Sequence, residues 1–349
     1  MKKIFNIFLG ISTLIFCLSI FNTASALNVV FSEDRPDLRT LDPRITQSRH
    51  EEMIIVQMFD QLISADSNGN LYPGLAKSWD VSSDGLHYTF NLRDDVTFHD
   101  GTKFDAAAVK ATFDSIVDPE TGSQGAVDIL GPYASSDVVD EYTVRVNFSR
   151  RYGSALSAFT ETELSIVSPT ALNSLGNEGF GMSPVGTGPF MFKNWEANKK
   201  VEMVKNPDYN WAPEYMDGSG PSKVDTLTYR LIKDTSTRVA ALESGEVDIA
   251  ELVPPLDMKR FDGSGKLSTI VGTVSGLPYS AFLNTTTGHF QDIKVRQAFF
   301  YSLNRVKMTN DLFFGYAEAA FGPISSATPS YWKGNEDYYQ YDTAKAESL

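Results

Sequence analysis

The chain has 349 residues, of which 42% are hydrophobic and 21% are charged, and its formal net charge is -14. This length predicts two or three domains, and the composition is that of a soluble globular protein. This acidity argues against a nucleic-acid-binding protein, because phosphate binding depends on clustered lysine and arginine. It also argues against docking on anionic lipid. We therefore interpret the acidity as a solvated, self-repelling surface.

Residues 1–26 have the features of an export signal. Two lysines precede an apolar run over residues 4–21, and the small residues Ala24 and Ala26 follow it. Signal peptidase accepts small residues at these places, so we predict cleavage after Ala26 and a mature chain that begins at Leu27. The alternative is an uncleaved membrane anchor, because the apolar run approaches the ~20 residues that span a bilayer.

Cys17 is the only cysteine of the sequence and lies inside the apolar run. A lipoprotein signal needs a small residue before its cysteine, whereas Phe16 stands there. We therefore expect no lipid anchor. The predicted mature chain has no cysteine, which excludes disulfides, thiolate catalysis and cysteine-based zinc sites from it.

Hydrophobic periodicity divides the first part of the mature chain into short strands and helices. Strict alternation over residues 86–92, after a Ser-Ser-Asp-Gly turn, predicts a hairpin over residues 79–92. Apolar residues at helical spacing predict a helix over residues 51–62. Asp105 can cap a further helix that runs to Ile116. Two more strands are predicted, at residues 27–31 and 143–148.

The second part of the chain begins with a loop rich in glycine and proline at residues 183–190. A short helix over residues 235–244 ends at Gly245, a residue suited to the left-handed cap. Two helices are predicted from Asp292 to Phe314. Strands are predicted at residues 200–204, 226–232, 247–250 and 280–284. The irregular order of strands and helices predicts an α+β fold with mixed sheets.

The sequence offers no catalytic constellation. The histidines are His50, His87, His99 and His289, and none has the helical spacing to a second ligand that a zinc protease needs. No Gly-x-Ser-x-Gly elbow occurs, and residues 183–188 contain no lysine for a phosphate loop. His99 is interpreted as a packing feature of a turn. We therefore expect no catalytic residue, no metal ligand and no cofactor, and the protein is predicted not to be an enzyme.

Several segments together resemble one family, the extracellular solute-binding proteins of family 5, which includes the dipeptide, oligopeptide and nickel receptors. The longest match is Ala76-Lys77-Ser78-Trp79-Asp80 and its continuation to Phe104, which looks like the family's characteristic hairpin. His87 departs from it, since the family usually has threonine or a similar residue there. Shorter matches follow in the expected order, at residues 41–43, 184–190, 206–209, 242–248, 292–305 and 341–349. The resemblance covers nearly the whole mature chain.

The resemblance implies a two-lobed periplasmic binding protein with an extra subdomain. Residues 27–42 and 168–266 would form lobe I, residues 43–167 the extra subdomain, and residues 267–349 the start of lobe II. A peptide or similar small solute would be buried between the lobes, which close by a hinge motion. The implied function is that of a monomeric periplasmic receptor, which delivers its ligand to the permease and ATPase of an ABC importer in the inner membrane.

The resemblance also indicates where a ligand would bind. Arg39, Thr40, Leu41 and Asp42 follow the first strand and in the family line the pocket wall. Tyr279, Phe282 and Asn284 fall near the start of lobe II, where an extended segment would offer hydrogen bonds to a peptide backbone. These seven residues are the predicted ligand-binding set.

Members of the family run well past the position of Leu349. The resemblance therefore implies that lobe II is incomplete here, either because the sequence is a fragment or because the gene is truncated. The acidic residue and the arginine that hold a dipeptide's two ends lie in that further part of the family and have no counterpart in this sequence. The sequence does not decide whether the ligand is a peptide, a nickel chelate or a sugar. The alternative functions are an exported peptide or glycan hydrolase and a peptide-sensing or chaperone-like module.

Overall fold

The computed structural model of the protein describes residues 26–31, 38–216, 218, 220–328 and 330–349. All of the predicted export signal except Ala26 lies outside these residues. Within the described ranges, no helix is both long enough and apolar enough to cross a membrane.

The described residues form the following helices and strands. The strands are β1 (Ala26–Phe31), β2 (Ile63–Ala65), β3 (Leu71–Pro73), β4 (Ala76–Val81), β5 (His87–Leu92), β6 (Tyr133–Asp140), β7 (Thr143–Phe148), β8 (Phe190–Glu196), β9 (Lys200–Lys205), β10 (Thr226–Leu231) and β11 (Ile249–Ala250). The helices are α1 (Arg49–Ile55), α2 (Ala106–Val117), α3 (Gly125–Leu130), α4 (Ala155–Ala158), α5 (Pro169–Met182), α6 (Thr235–Ser244), α7 (Pro255–Asp262), α8 (Ile293–Ser302), α9 (Arg305–Phe313) and α10 (Thr343–Ser348).

The five-stranded sheet has the strand order β11-β1-β10-β9-β8. Strand β1 is parallel to both of its neighbours, with Val29 opposite Tyr229 on one side and Ile249 on the other. Helix α6 connects β10 to β11 and ends at Gly245, whose φ of 75° is the left-handed conformation that glycine adopts without strain. The carboxyl ends of the three parallel strands therefore share one edge of the sheet.

The four-stranded sheet has the strand order β4-β5-β7-β6 and contains the predicted hairpin. Tyr88, Phe90 and Leu92 are buried while the residues between them are half-buried, which confirms the alternation seen in the sequence. Helix α2 begins where Asp105 accepts a hydrogen bond from the Ala108 amide at 2.9 Å, the predicted cap. The helix packs against β6 and β7.

Two hydrophobic clusters hold these layers together. One lies under the four-stranded sheet, runs from Leu62 to Ile166, and includes Tyr209 and Trp211. The other lies against the five-stranded sheet and includes Leu41 and the buried isoleucines of α1, Ile54 and Ile55. Helix α1 thus packs with the five-stranded sheet, although it falls inside the segment 43–167 predicted as the extra subdomain. The boundaries of the two lobes and the extra subdomain remain predictions.

Helix α1 is shorter than the sequence predicted, because the carbonyl groups of the residues that follow it bond to another segment. The amides of Gly188 and Phe190 donate to the Met58 and Gln57 carbonyls, both at 2.9 Å. Those carbonyls are then unavailable as helical acceptors for later residues. The apolar spacing continues beyond the helix because Met58 remains buried in the same cluster.

The predicted strand at residues 280–284 is wrong. No strand is assigned there, and Ala281 and Phe282 are exposed. An extended segment is stable as a strand only when its backbone groups find a partner strand, and none of the described strands pairs with this segment. By contrast, the two helices predicted between Asp292 and Phe314 are confirmed as α8 and α9.

Candidate functional site

The backbone of the predicted wall segment, residues 39–42, is fixed by two buried contacts. Glu51 of α1 accepts hydrogen bonds from the Arg39 and Thr40 amides at 2.6 and 3.3 Å. The Leu41 amide donates to the carbonyl oxygen of Gly181 at the end of α5, at 2.8 Å. These bonds hold the segment against α1 and the end of α5.

The side chains of this segment differ in how much of them a ligand could reach. Arg39 is exposed and Thr40 is half-buried, whereas Leu41 and Asp42 are completely buried. The Asp42 carboxylate already forms a two-pronged ion pair with Arg44, at 3.1 and 2.6 Å. The ligand-binding role of all four residues remains a prediction.

The second predicted group lies on the surface. Tyr279 and Phe282 are 102% and 83% exposed. The Asn284 side-chain oxygen accepts a hydrogen bond from the Thr286 amide at 2.9 Å, which closes a local turn. Among the described residues, no hydrogen bond joins this group to residues 39–42. Its ligand role also stays a prediction.

An open cavity of about 390 Å³ lies where the wall segment continues toward α1. Three parts of the chain meet there: residues 46–52, the start of α3, and the 3₁₀ turn Thr162–Leu164. The lining residues are Thr46, Gln47, Glu52, Gln124, Gly125, Asp128 and Glu163. Small-molecule sites are usually lined by apolar side chains with a few polar groups, whereas this lining is polar apart from Gly125, so it suits a polar or charged solute.

Hydrogen bonds set the spacing of the cavity walls. Gln47 Nε2 donates to Gln124 Oε1 at 2.9 Å, which joins the first wall to the second. Thr46 Oγ1 donates to Glu51 Oε2 at 2.6 Å, so the carboxylate that fixes residues 39 and 40 also fixes this residue. A Cβ on Gly125 would lie at an ordinary contact distance of 3.5 Å from the Thr46 carbonyl oxygen, so the two walls approach closely there.

The cavity carries an excess of negative charge. Burial raises the pKa of Glu52, and the nearby carboxylates of Glu163 and Glu161 raise it further. Burial and Glu163 likewise raise the pKa of Glu161. The opposing cation is Arg49, whose Nη1 lies 3.9 Å from Glu52 Oε2 and whose side chain is largely exposed. Such a site favours a positively charged group on whatever enters it.

In the described part of the chain, no group of three His, Cys, Asp or Glu side chains is placed to hold a metal ion. His99 is half-buried and hydrogen-bonds to the loop at residues 186–188: the Gly186 amide donates to its Nδ1 at 3.4 Å, and its Nε2–H donates to the Gly188 carbonyl at 2.9 Å. Its interpretation as a packing residue of a turn is confirmed.

Reasoning from the sequence missed all seven residues that line the cavity. They come from three segments far apart in the chain, and no motif marks them. The one available signal was position, because Thr46 and Gln47 directly follow the segment that the resemblance selected.

The mixed sheets and their arrangement are those of two-lobed periplasmic binding proteins, as comparison with solved structures shows. The protein resembles DppA from Helicobacter pylori in complex with the peptide STSA, with a TM-score of 0.74, 25% identity, and coverage of 93% of this chain and 65% of that chain. It also resembles NikA from Brucella suis in complex with Fe(III)-EDTA, with a TM-score of 0.76, 25% identity, and coverage of 93% and 63%.

The model of the family described as bacterial extracellular solute-binding proteins, family 5 Middle, matches residues 70–349, and the chain belongs to this family. A curated relative is the glutathione-binding protein GsiB of Pectobacterium atrosepticum. It is 32% identical over 310 residues, which are 89% of this chain and 58% of the relative. The chain therefore spans less than two thirds of the length of these proteins.

Proposed function

We propose that the protein is the substrate-binding receptor of an ABC importer and that it binds a peptide or a similar small solute. The observation that carries the proposal is the polar cavity at residues 46–52, 124–128 and 163, in a chain of the solute-binding family. The receptor would be a monomer, would bind its solute without transforming it, and would pass it to the permease and ATPase. The predicted lobes and subdomain form part of this proposal, but the cavity residues all fall within residues 43–167, so the solute is placed in the predicted subdomain and not between the lobes.

The charge of the cavity supports a solute that carries a cationic group. Three carboxylates line the cavity, and the peptide and glutathione named for the related proteins each have an amino group. We place such a group among Glu52, Asp128 and Glu163. A charge-assisted hydrogen bond to a carboxylate is roughly twice as strong as a neutral one.

We further propose a periplasmic location, reached by export and cleavage after Ala26. Cleavage there would leave nearly all of β1, since only Ala26 of its six residues would be lost. The parallel pairing with β10 would then continue from Leu27 to Phe31.

The binding proposal is tested by calorimetric titration of the purified full chain with reduced glutathione and a panel of dipeptides and tetrapeptides. Each peptide has an N-acetylated twin as its matched control. We expect at least one free-amino peptide to bind at one site, its acetylated twin to bind more weakly, and mass spectrometry to recover the peptide intact. Hydrolysis of the peptide, or equal affinity for both twins, contradicts the proposal.

Delivery is tested separately in cells. A strain that lacks the gene should lose uptake of the solute identified by titration, and the wild-type gene should restore it. Binding without any effect on uptake would favour the peptide-sensing alternative.

A further inference from the structure

Arg44 is fully buried and hydrogen-bonds to three segments of the chain. Its Nε and Nη2 donate to the two carboxylate oxygens of Asp42 at 3.1 and 2.6 Å. Its Nη1 donates to Ser115 Oγ on α2 at 3.0 Å, and Nη2 also donates to Asn177 Oδ1 on α5 at 3.1 Å. The guanidinium carbon lies 5.7 Å from the Phe180 ring centre. A planar fork that is bonded in this way fixes angles as well as distances.

The first of these bonds controls one wall of the cavity. The Ile45 and Thr46 amides donate to the Asp42 carbonyl at 3.2 and 3.1 Å, and the Arg44 amide donates to the Asp42 carboxylate at 2.9 Å. The turn that leads to Thr46 and Gln47 is thus built on Asp42. Whatever holds Asp42 in place also holds this wall.

The other bonds control the second wall. Ser115 lies in the last turn of α2, and Asn177 Nδ2 donates to the Glu120 carbonyl at 3.3 Å, in the link between α2 and α3. That link leads directly to Gln124, Gly125 and Asp128, which line the cavity. Arg44 therefore stands between the two segments that carry the facing walls.

We infer that Arg44 is a positioning residue for solute binding: without touching the solute, it holds the two walls of the cavity at the spacing that the solute requires. This inference rests on the proposed function of the cavity. Lysine would keep the positive charge but lose the fork, since an ammonium group is a compact charge on a flexible stem. A positive charge at position 44 is therefore not enough to hold the two walls, and the planar guanidinium group is required.

The test compares Arg44→Lys and Ser115→Ala with Ser136→Ala in the full chain. Ser136 is the matched control, because its buried hydroxyl hydrogen-bonds to Tyr133 at 2.8 Å but does not line the cavity and forms no hydrogen bond with Arg44. The first readout is amide hydrogen exchange, which reports local opening segment by segment. We expect exchange at residues 44–48 and 120–128 to quicken about tenfold in the first two variants and to stay unchanged in Ser136→Ala.

Two results would overturn the inference. One is unchanged exchange at both walls in Arg44→Lys and Ser115→Ala, and the other is a uniform increase over the whole chain, which indicates general destabilisation. If Arg44→Lys does not fold, Ser115→Ala decides the matter alone, because it leaves the pair with Asp42 in place.

The second readout is affinity for a free-amino peptide that the wild-type protein binds. We expect it to fall about tenfold in Arg44→Lys, as lost preorganisation weakens binding, and to be unaffected in Ser136→Ala. If the wild-type protein binds no peptide, the proposed function fails, while the exchange data still decide whether Arg44 holds the two walls together.

Discussion

The side-chain amide of Gln47 donates a hydrogen bond of 2.9 Å to the side-chain oxygen of Gln124, across 77 positions of the sequence. This contact joins the wall that begins after β1 to the wall formed by α3. Both residues line the acidic cavity, so the structure of the proposed site depends on long-range packing.

Replacement of Glu52 by glutamine should weaken binding of a free-amino peptide about tenfold or more, because hydrogen bonds to charged groups contribute ~1.5–3 kcal/mol. Affinity for the N-acetylated peptide should be unchanged. Glu141→Gln, at an exposed carboxylate paired with Lys103, is the control and should bind both peptides normally. Calorimetry checks the prediction, and an equal loss for both peptides would contradict it.

The affinity for a free-amino peptide should also depend on pH. Because burial and Glu163 raise the pKa of Glu52, its carboxyl group becomes neutral at a higher pH than an ordinary glutamate. Affinity should therefore fall as the pH drops through that raised pKa, while the amine stays protonated. Titrations between pH 4 and 7 measure this, and Glu52→Gln should flatten the profile.

His99 should make the folded state sensitive to mild acid. Burial lowers its pKa to about 4, below the ~6.5 of an exposed histidine. Between these two pKa values the folded state binds fewer protons than the unfolded state. The contribution of the neutral imidazole to the free energy of unfolding is therefore complete above about pH 6.5 and is lost as the pH falls toward 4. Between pH 7 and 5 the free energy of unfolding should drop by about 2 kcal/mol from this group.

Urea unfolding at several pH values checks the histidine prediction. His99→Gln should reduce the dependence on pH, and His87→Gln, at a half-exposed strand position, should retain it. An unchanged pH profile in His99→Gln would contradict the assignment.

Gly188 should not tolerate a side chain. A Cβ there would lie 2.5 Å from the Met58 carbonyl carbon and 2.7 Å from the Phe59 amide nitrogen. These are backbone atoms that cannot rotate away, so Gly188→Ala should lower the free energy of unfolding by roughly 1–3 kcal/mol or more. Gly153→Ala is the control, since no atom lies within 4 Å of its added Cβ. Equal stability of the two variants would refute the close approach.

Processing of the export signal is tested by the intact mass of the protein from a periplasmic extract. The expected mature chain begins at Leu27. Ala26→Asp should block cleavage because signal peptidase needs a small residue at that position. Normal processing of this variant would place the cleavage site elsewhere.

Local patterns predicted the elements well where local chemistry decides the structure. The alternation from Leu86 to Leu92 and the cap at Asp105 are both found in the fold. The pattern failed where a distant segment intervenes: the predicted helix does not continue to Leu62, because Gly188 and Phe190 bond to the Met58 and Gln57 carbonyls that follow α1. The strand expected at residues 280–284 lacks a partner strand among the described residues.

The candidate site was less predictable than the fold. Asp42 was predicted as part of a pocket wall, but no sequence signal predicted that its carboxylate pairs with Arg44 in the interior. Glu51 and Glu52 are neighbours of the same type, yet the first anchors the backbone and the second lines the cavity. The direction of each side chain follows from tertiary packing, which the spacing of acidic residues does not encode.

The central claim is that the solute occupies the cavity between residues 46–52, α3 and Glu163. Its most direct test is photo-crosslinking of the full chain with a free-amino peptide that carries a diazirine, followed by mapping of the adducts by mass spectrometry. We predict adducts within residues 46–52, 124–128 or 161–164, all of them displaced by an excess of the unlabelled peptide. Displaceable adducts confined to other segments, such as the cavity lined by Asn198 and Arg230, would contradict the claim.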